Sequence, residues 1–365
     1  MTAELHPWET AIAAVEPQLL YRGYPAEELA GSHTFLETAY LLLTGELPTD
    51  EQRADWQALL FEGLTLSPAV RSWLRKVPAS ATTIDAIHTA LVRGQLGDDR
   101  IVSLSGRDVL DSFPHWLGFV AAITTQQPRV AAGQPVVDPR SELGFAANLL
   151  WMLRGREASP FQERALETCL ITAAEHGFTP TTIAVRLVAG GGGDFVAALL
   201  AGISVAQGPL HAGVAVEALD VLSEVRTPDR AEGWVRQRTT KGQSVPGFVH
   251  RRYRVGDPRS EWLSPLARQL AELNDKLVRE ELASAIEQAV WDQQHLLPAV
   301  AWPASRIMDY LGVDRHLLTP LYVVGRMAGW AAHFVEQQQQ TSPRVFRTHY
   351  TGPTQRHARQ QREQE

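Results

Sequence analysis

The stretch Gln207-Gly208-Pro209-Leu210-His211-Ala212-Gly213 decides the fold because of what stands on either side of it. The run Phe195–Ala206 before it is apolar and alanine-rich, and the run Val214–Val225 after it is amphipathic at helical spacing. Gly208-Pro209 ends one helix and starts the next, since proline lacks the N–H that would continue the first. His211 therefore stands at or near a helix N-terminus, between two apolar segments. A histidine in a turn is ordinarily hydrogen-bonded or solvated. His211 gains weight only beside His176 and His250, which lie in matching settings.

Working outward, the same grammar recurs. Thr34-Phe35-Leu36-Glu37 has capping-box spacing, Gly45 supplies a left-handed stop, and Pro48 follows. Ser159-Pro160-Phe161-Gln162 repeats the box ahead of a helix over 164–175, which His176-Gly177 ends. Pro25 begins a short helix after extended or turn material at 9–24. Residues 50–95 read as helices broken near Pro78 and Gly94, and 281–293 and 319–336 read as two more. Residues 295–303 form a proline-bounded apolar turn, residues 240–262 a long loop, and residues 337–365 a polar arm and tail. The stretch 97–105 gives no consistent pattern. Strand signals are sparse and no repeat stands out, so the fold class is all-α.

Totals narrow the chemistry. The chain has 365 residues, 44% of them apolar, enough for two domains or one large one. A formal charge of −7 with no basic face outside the tail argues against nucleic acid. The single cysteine, Cys169, excludes an internal disulfide and a cysteine-built metal site, and it reads as a buried small hydrophobe. No metal site is expected. No apolar window reaches spanning length and the N-terminus lacks a signal-peptide pattern, so no membrane association and a cytoplasmic location are expected. The four glycines at 190–193 mark a break or bend; no Lys-Ser/Thr follows them to make a phosphate cradle. Three features remain. His176 at a helix C-terminus reads either as a cap or as a cationic donor aimed at an anion. Arg326 inside an apolar run needs a partner or an anion. The 240–262 loop carries His250 and several arginines.

Taken together, these segments resemble the citrate synthase family over almost the whole chain. Tyr21-Arg22-Gly23-Tyr24 and Thr44-Gly45-Glu46-Leu47-Pro48 look like its N-terminal signatures. Glu175-His176 with Thr181-Thr182-Ile183-Ala184-Val185-Arg186 resembles its His-Glu…Ser-Thr-Phe-x-x-Arg segment. Gly208-Pro209-Leu210-His211 is similar to its most recognisable motif. Val245-Pro246-Gly247-Phe248-Val249-His250 with Asp257-Pro258-Arg259, and Thr319-Pro320-Leu321 through Arg326, match two further segments. The resemblance implies an intertwined helical dimer, with 1–210 the first part of a large domain and 211–319 a small domain. Residues 320–352 would then return to the large domain and form a C-terminal arm, and 353–365 a disordered tail. It implies condensation of an acyl-CoA with oxaloacetate to give citrate, with acyl-CoA as substrate and no cofactor. By the same resemblance His176, Arg259 and Arg326 hold the oxaloacetate dianion. His250 donates to its ketone oxygen, and His211 polarises the thioester oxygen.

The pattern departs from the family where the proton must go. The family takes a methyl proton from the acyl-CoA with the aspartate of Pro-Asn-Val-Asp-Phe. This chain reads Pro298-Ala299-Val300-Ala301-Trp302, which puts Ala301 at the position of the base. Asp309 lies eight residues on, about 12 Å along a helix, and Asp292 precedes the motif. Val249 and Ala215 replace a family glycine and asparagine, and Arg344 or Arg347 stands where an arm arginine is expected. Two functions follow: an acyltransferase with impaired activity, or a non-catalytic relative that binds oxaloacetate or citrate. The second could be the partner of an intact paralogue in a heterodimer rather than a homodimer.

Overall fold

The computed structural model describes residues 9–97, 106–208, 214–248, 252–253, 255–340 and 351–352. The chain opens on a small antiparallel meander, β1 (Ala13–Ala14), β2 (Leu20–Tyr21) and β3 (Tyr24–Pro25), in that order. Arg22 and Gly23 turn it, both at positive φ. Helices α1 (Ala26–Ser32), α2 (Phe35–Thr44), α3 (Asp50–Leu64) and α4 (Pro68–Leu74) follow. Next come α5 (Thr83–Gly97), α6 (Gly106–Ala131), α7 (Phe145–Arg154) and α8 (Pro160–Ala174). Then α9 (Pro180–Gly190), α10 (Phe195–Ala206), α11 (Val214–Val225) and α12 (Ala231–Thr240). The last four are α13 (Arg259–Leu273), α14 (Leu277–Gln294), α15 (Ala301–Tyr310) and α16 (Leu318–Gln339). The described residues are thus mostly helical, with one short meander as their only sheet.

The caps expected from sequence are formed. The Glu37 carboxylate accepts from the Thr34 N–H at 2.8 Å, and Thr34 Oγ1 accepts from the Glu37 N–H at 3.2 Å. Gly45 closes α2 at φ 96°. Ser159 and Gln162 make the same reciprocal pair at α8. Thr34→Ala should therefore cost about 1 kcal/mol of stability in urea unfolding, with little change in the slope.

The core is organised on α16, which is buried on nearly all sides and packs against α2, α6, α8, α9 and α10. Two glycines let α8 lie close to it. A Cβ at Gly325 would meet Ala173 and Leu170, and one at Gly329 would collide with the Ala174 carbonyl and the Glu175 side chain. The order of those contacts means that α8 and α16 run side by side in the same sense. Helices α11 to α15 pack mainly on one another and reach the rest through α8 and α16. Buried polar ties sit among them: Arg306 and Tyr310 both bond Glu280, and the Trp302 indole bonds Glu287.

Four sequence expectations are corrected. Gly94 does not break a helix; it lies within α5, where the Trp116 ring of α6 covers it, and packing outweighs its poor propensity. The long loop stops at Pro258 rather than at 262. Asp257 caps α13 by accepting the Arg259 N–H at 3.1 Å, and Pro258 has a φ already suited to the start. The turn expected at 295–303 ends early, because Ala301-Trp302-Pro303 form the first turn of α15, where proline's missing N–H would go unused anyway. The glutamine-rich arm begins later than 337. Gln337 is buried in α16 and accepts from Arg186 Nε at 2.9 Å. The stretch 98–105 and the residues after 340, except 351–352, lie outside the described residues.

Candidate active site

Three helix faces enclose a cavity of about 480 Å³. From α15 come Ala301, Ala304, Ser305 and Met308, spaced i, i+3, i+4, i+7. From α16 come Leu318, Leu321, Tyr322 and Arg326 on one stripe. From α8 and the turn after it come Cys169, Leu170, Thr172, Ala173 and His176. Arg252 and Arg259 complete one wall, and Val214 and Ala215 of α11 another. Among the described lining residues there are three arginines and a histidine, and no carboxylate.

The cations sit in different states of pairing. Arg259 is buried and held bidentately by Asp257, Nε to Oδ1 at 3.0 Å and a terminal nitrogen to Oδ2 at 2.7 Å. Its other terminal nitrogen donates to the Thr172 carbonyl of α8 at 3.0 Å. Burial works against its charge, and Asp257 more than compensates, so its pKa lies above the usual arginine value. His176 Nε2 and the Tyr253 hydroxyl meet at 3.0 Å. Burial pushes the Tyr253 phenol up to about 12, so it stays a neutral donor at ordinary pH.

Arg326 differs from these. It is 2% exposed, its nearest acid is Glu175 at 3.9 Å, and its Nε and one terminal nitrogen have no hydrogen-bond partner. Buried guanidinium donors left unsatisfied cost free energy unless something accepts from them. Arg326 lines the cavity, so an anion there would give its guanidinium a counter-charge.

Behind Arg326 lies a buried network. Glu175 faces His333 Nε2 at 3.2 Å, and His333 Nδ1 faces Arg186 at 2.9 Å. Arg186 also bonds Glu336 at 2.6 Å, and Glu336 accepts the Ala11 N–H at 2.8 Å. Burial works to raise the Glu175 carboxyl, but contact with His333 and the charge of Arg326 outweigh it and hold the pKa below the usual range. Glu175 accepts the Gly177 N–H, and the Tyr21 hydroxyl donates to the Glu175 carbonyl at 2.8 Å. The meander thereby fixes the turn that carries His176. Arg22 anchors the meander in turn, through the Leu42 carbonyl at 2.8 Å.

Of the residues singled out in the sequence, His176, Arg259, Arg326, Ala301 and Ala215 all line this one cavity. His211, His250, Val249, Arg344 and Arg347 lie outside the described residues. Asp309 is turned elsewhere, within 3.3 Å of Arg279 and 3.6 Å of Lys276. Asp292 is exposed and accepts from Gln288 at 2.8 Å. Sequence reading missed Tyr253, Tyr322 and the Glu175–His333 link. Tyr253 stood in the noted loop, three residues past His250. Tyr322 could have been found by counting back one turn from Arg326. Among the described residues no group of three or more His, Cys, Asp or Glu could hold a metal ion, and no helix is long and apolar enough to cross a membrane.

The described residues are mostly helical and place a cation-cornered cavity between two helix groups. The family described as "Citrate synthase, C-terminal domain" matches residues 3–349, and the chain belongs to the citrate synthase family. It is 29% identical over 344 residues to citrate synthase 2 of Bacillus subtilis strain 168, covering 93% of this chain and 91% of that one. It is 30% identical over 332 residues to 2-methylcitrate synthase of Mycobacterium tuberculosis strain H37Rv, covering 90% and 84%. Its fold superposes on Pyrobaculum aerophilum citrate synthase with a TM-score of 0.87 at 28% identity, covering 97% and 92%. It also superposes on the Thermoplasma acidophilum enzyme solved with carboxymethyl coenzyme A and oxaloacetate, with a TM-score of 0.88 at 23% identity, covering 97% and 96%.

Proposed function

We propose that this chain is a citrate synthase-type protein that binds oxaloacetate or citrate and condenses oxaloacetate with an acyl-CoA slowly at best. The observation that carries the reading is the composition of the cavity wall: His176, Arg252, Arg259 and Arg326 without an acidic side chain among the described lining residues. The cations suit a dicarboxylate or tricarboxylate. His250 and His211 are assigned by resemblance to the ketone oxygen and the thioester oxygen. Ala301 occupies the position of the base, and alanine carries no titratable group. Acyl-CoA enters as substrate and no cofactor is required.

The same wall favours a second reading, in which the chain binds the acid without turning it over and pairs with an intact paralogue. A homodimer is the assembly expected for the first reading and a heterodimer for the second. Thiol release from acetyl-CoA and oxaloacetate by the purified protein alone separates them: slow release supports the first, none supports the second.

Calorimetry with oxaloacetate and with citrate tests the shared part. Arg326→Gln should weaken either acid by about 2 kcal/mol, roughly 30-fold, because it removes the charge of a guanidinium that lines the cavity. The absence of heat with both ligands at millimolar concentration would defeat the assignment of the site.

A further inference from the structure

The cavity has two unlike ends, and the helices that line it show which is which. Along α16 the lining runs from Leu318 through Leu321 to Arg326, eight residues or about 12 Å. Along α8 it runs from Cys169 and Leu170 to His176, in the same sense. Helix α15 runs the opposite way. At its start the Val300 N–H points to Asp257, the partner of Arg259. At its finish the Leu311 carbonyl accepts from Arg154, which also reaches Gln162 in the first turn of α8. So Ala301 lies at the cationic end, and Met308, about 10 Å along the helix, lies at the apolar end with Leu318. Between them α15 presents only Ala304 and the small Ser305, whose hydroxyl is turned back to the Trp302 carbonyl.

A four-carbon dicarboxylate is satisfied at the cationic end and leaves the apolar reach empty. Water there would find few polar partners, whereas a hydrocarbon would displace it favourably. The volume is in the range of roughly 300–1,000 Å³ typical of sites for larger ligands.

We infer that the cavity takes a linear hydrocarbon arm several carbons long, lying along α15 from the cationic end, where a carboxylate is held, to Met308 and Leu318. The inference rests on the proposed reading of the cationic end as a carboxylate site and extends it to the substrate class. The arm has two possible sources, the side chain of the bound 2-oxo acid or the acyl chain of the thioester. Ala301 belongs to this account as well, since a carboxylate there would oppose an apolar chain leaving the anion site.

Calorimetry on the full chain tests it with two series. One is pyruvate, 2-oxobutyrate, 2-oxohexanoate and 2-oxooctanoate. The other is acetyl-, butyryl-, hexanoyl- and octanoyl-CoA with oxaloacetate present. Each buried methylene should tighten binding about threefold to fourfold. Ala304→Leu fills the path and should flatten that slope, with Ala304→Val as the milder substitute if the leucine variant does not fold. A slope in the acids alone assigns the arm to the 2-oxo acid, and a slope in the thioesters alone assigns it to the acyl group. No slope in either series overturns the inference, as does a slope that survives both substitutions at position 304. Oxaloacetate and citrate are titrated in the same experiment. If they bind while both series are flat, only the arm is lost. If a series climbs while neither of them binds, the proposed function fails and the arm stands.

Discussion

Ala301→Asp combined with Val249→Gly should raise condensation of acetyl-CoA with oxaloacetate by about 10²–10⁴-fold, the usual contribution of a positioned general base. Polarising a thioester oxygen does not by itself make its methyl carbon a nucleophile; a proton must leave, and water accepts it poorly. Ala301 lines the cavity and opens α15. An aspartate there would lie in the first helical turn, where the backbone N–H groups favour its ionised form. The neighbouring Asp257 would oppose that, but its charge is engaged by Arg259 at 2.7 Å. Asp309 offers no native substitute, since Lys276 and Arg279 hold it outside the cavity wall. Val249 enters because the resemblance puts a glycine there, beside CoA. Thiol release measures the effect. Wild-type turnover near that of an ordinary citrate synthase would sink the account, since another carboxylate would then have to reach the site.

Most of the helical frame was legible because its signals are local. Thr34 with Glu37, Ser159 with Gln162, and Gly45 each act within one turn, and each is observed to act as its spacing implies. The bounds of α10 and α11 around Gly208-Pro209 follow from the same rule. The errors arose where a distant partner decides. Trp116 carries α5 past Gly94, and Arg186 draws Gln337 into the core. Arg326 could be flagged from sequence, because a charge in an apolar run demands a reason. What the sequence could not supply was that its nearest acid would be Glu175, from the end of another helix. That acid is itself shared with His333, two turns beyond Arg326 on α16.

That shared carboxylate gives the second large effect. Glu175→Gln should destabilise the fold by about 3–5 kcal/mol in denaturant unfolding, the range for breaking a buried ion pair from one side. The change keeps the volume and removes the charge, so Arg326 loses the counter-charge beside it while remaining buried. The pH dependence identifies the cause. The folded-state pKa of Glu175 lies below its ordinary value of 4.5. Its contribution is therefore complete above that value and is lost as pH falls through the folded pKa. The difference between wild type and variant should shrink on the acid side accordingly. Glu167 provides the opposite slope: burial raises its pKa to about 7, so stability is lost as pH rises from 4.5 through that value. Because both proteins keep Glu167, its effect cancels in the difference. A gap between the two proteins that did not vary with pH would mean that folding leaves the Glu175 pKa unshifted, and a gap that widened toward acid would mean that Glu175 is protonated in the folded state. Citrate supplies a further check, because its carboxylates would become the counter-charge for Arg326. Saturating citrate should stabilise Glu175→Gln by more than it stabilises wild type. Equal stabilisation of the two would mean that Arg326 does not face the ligand.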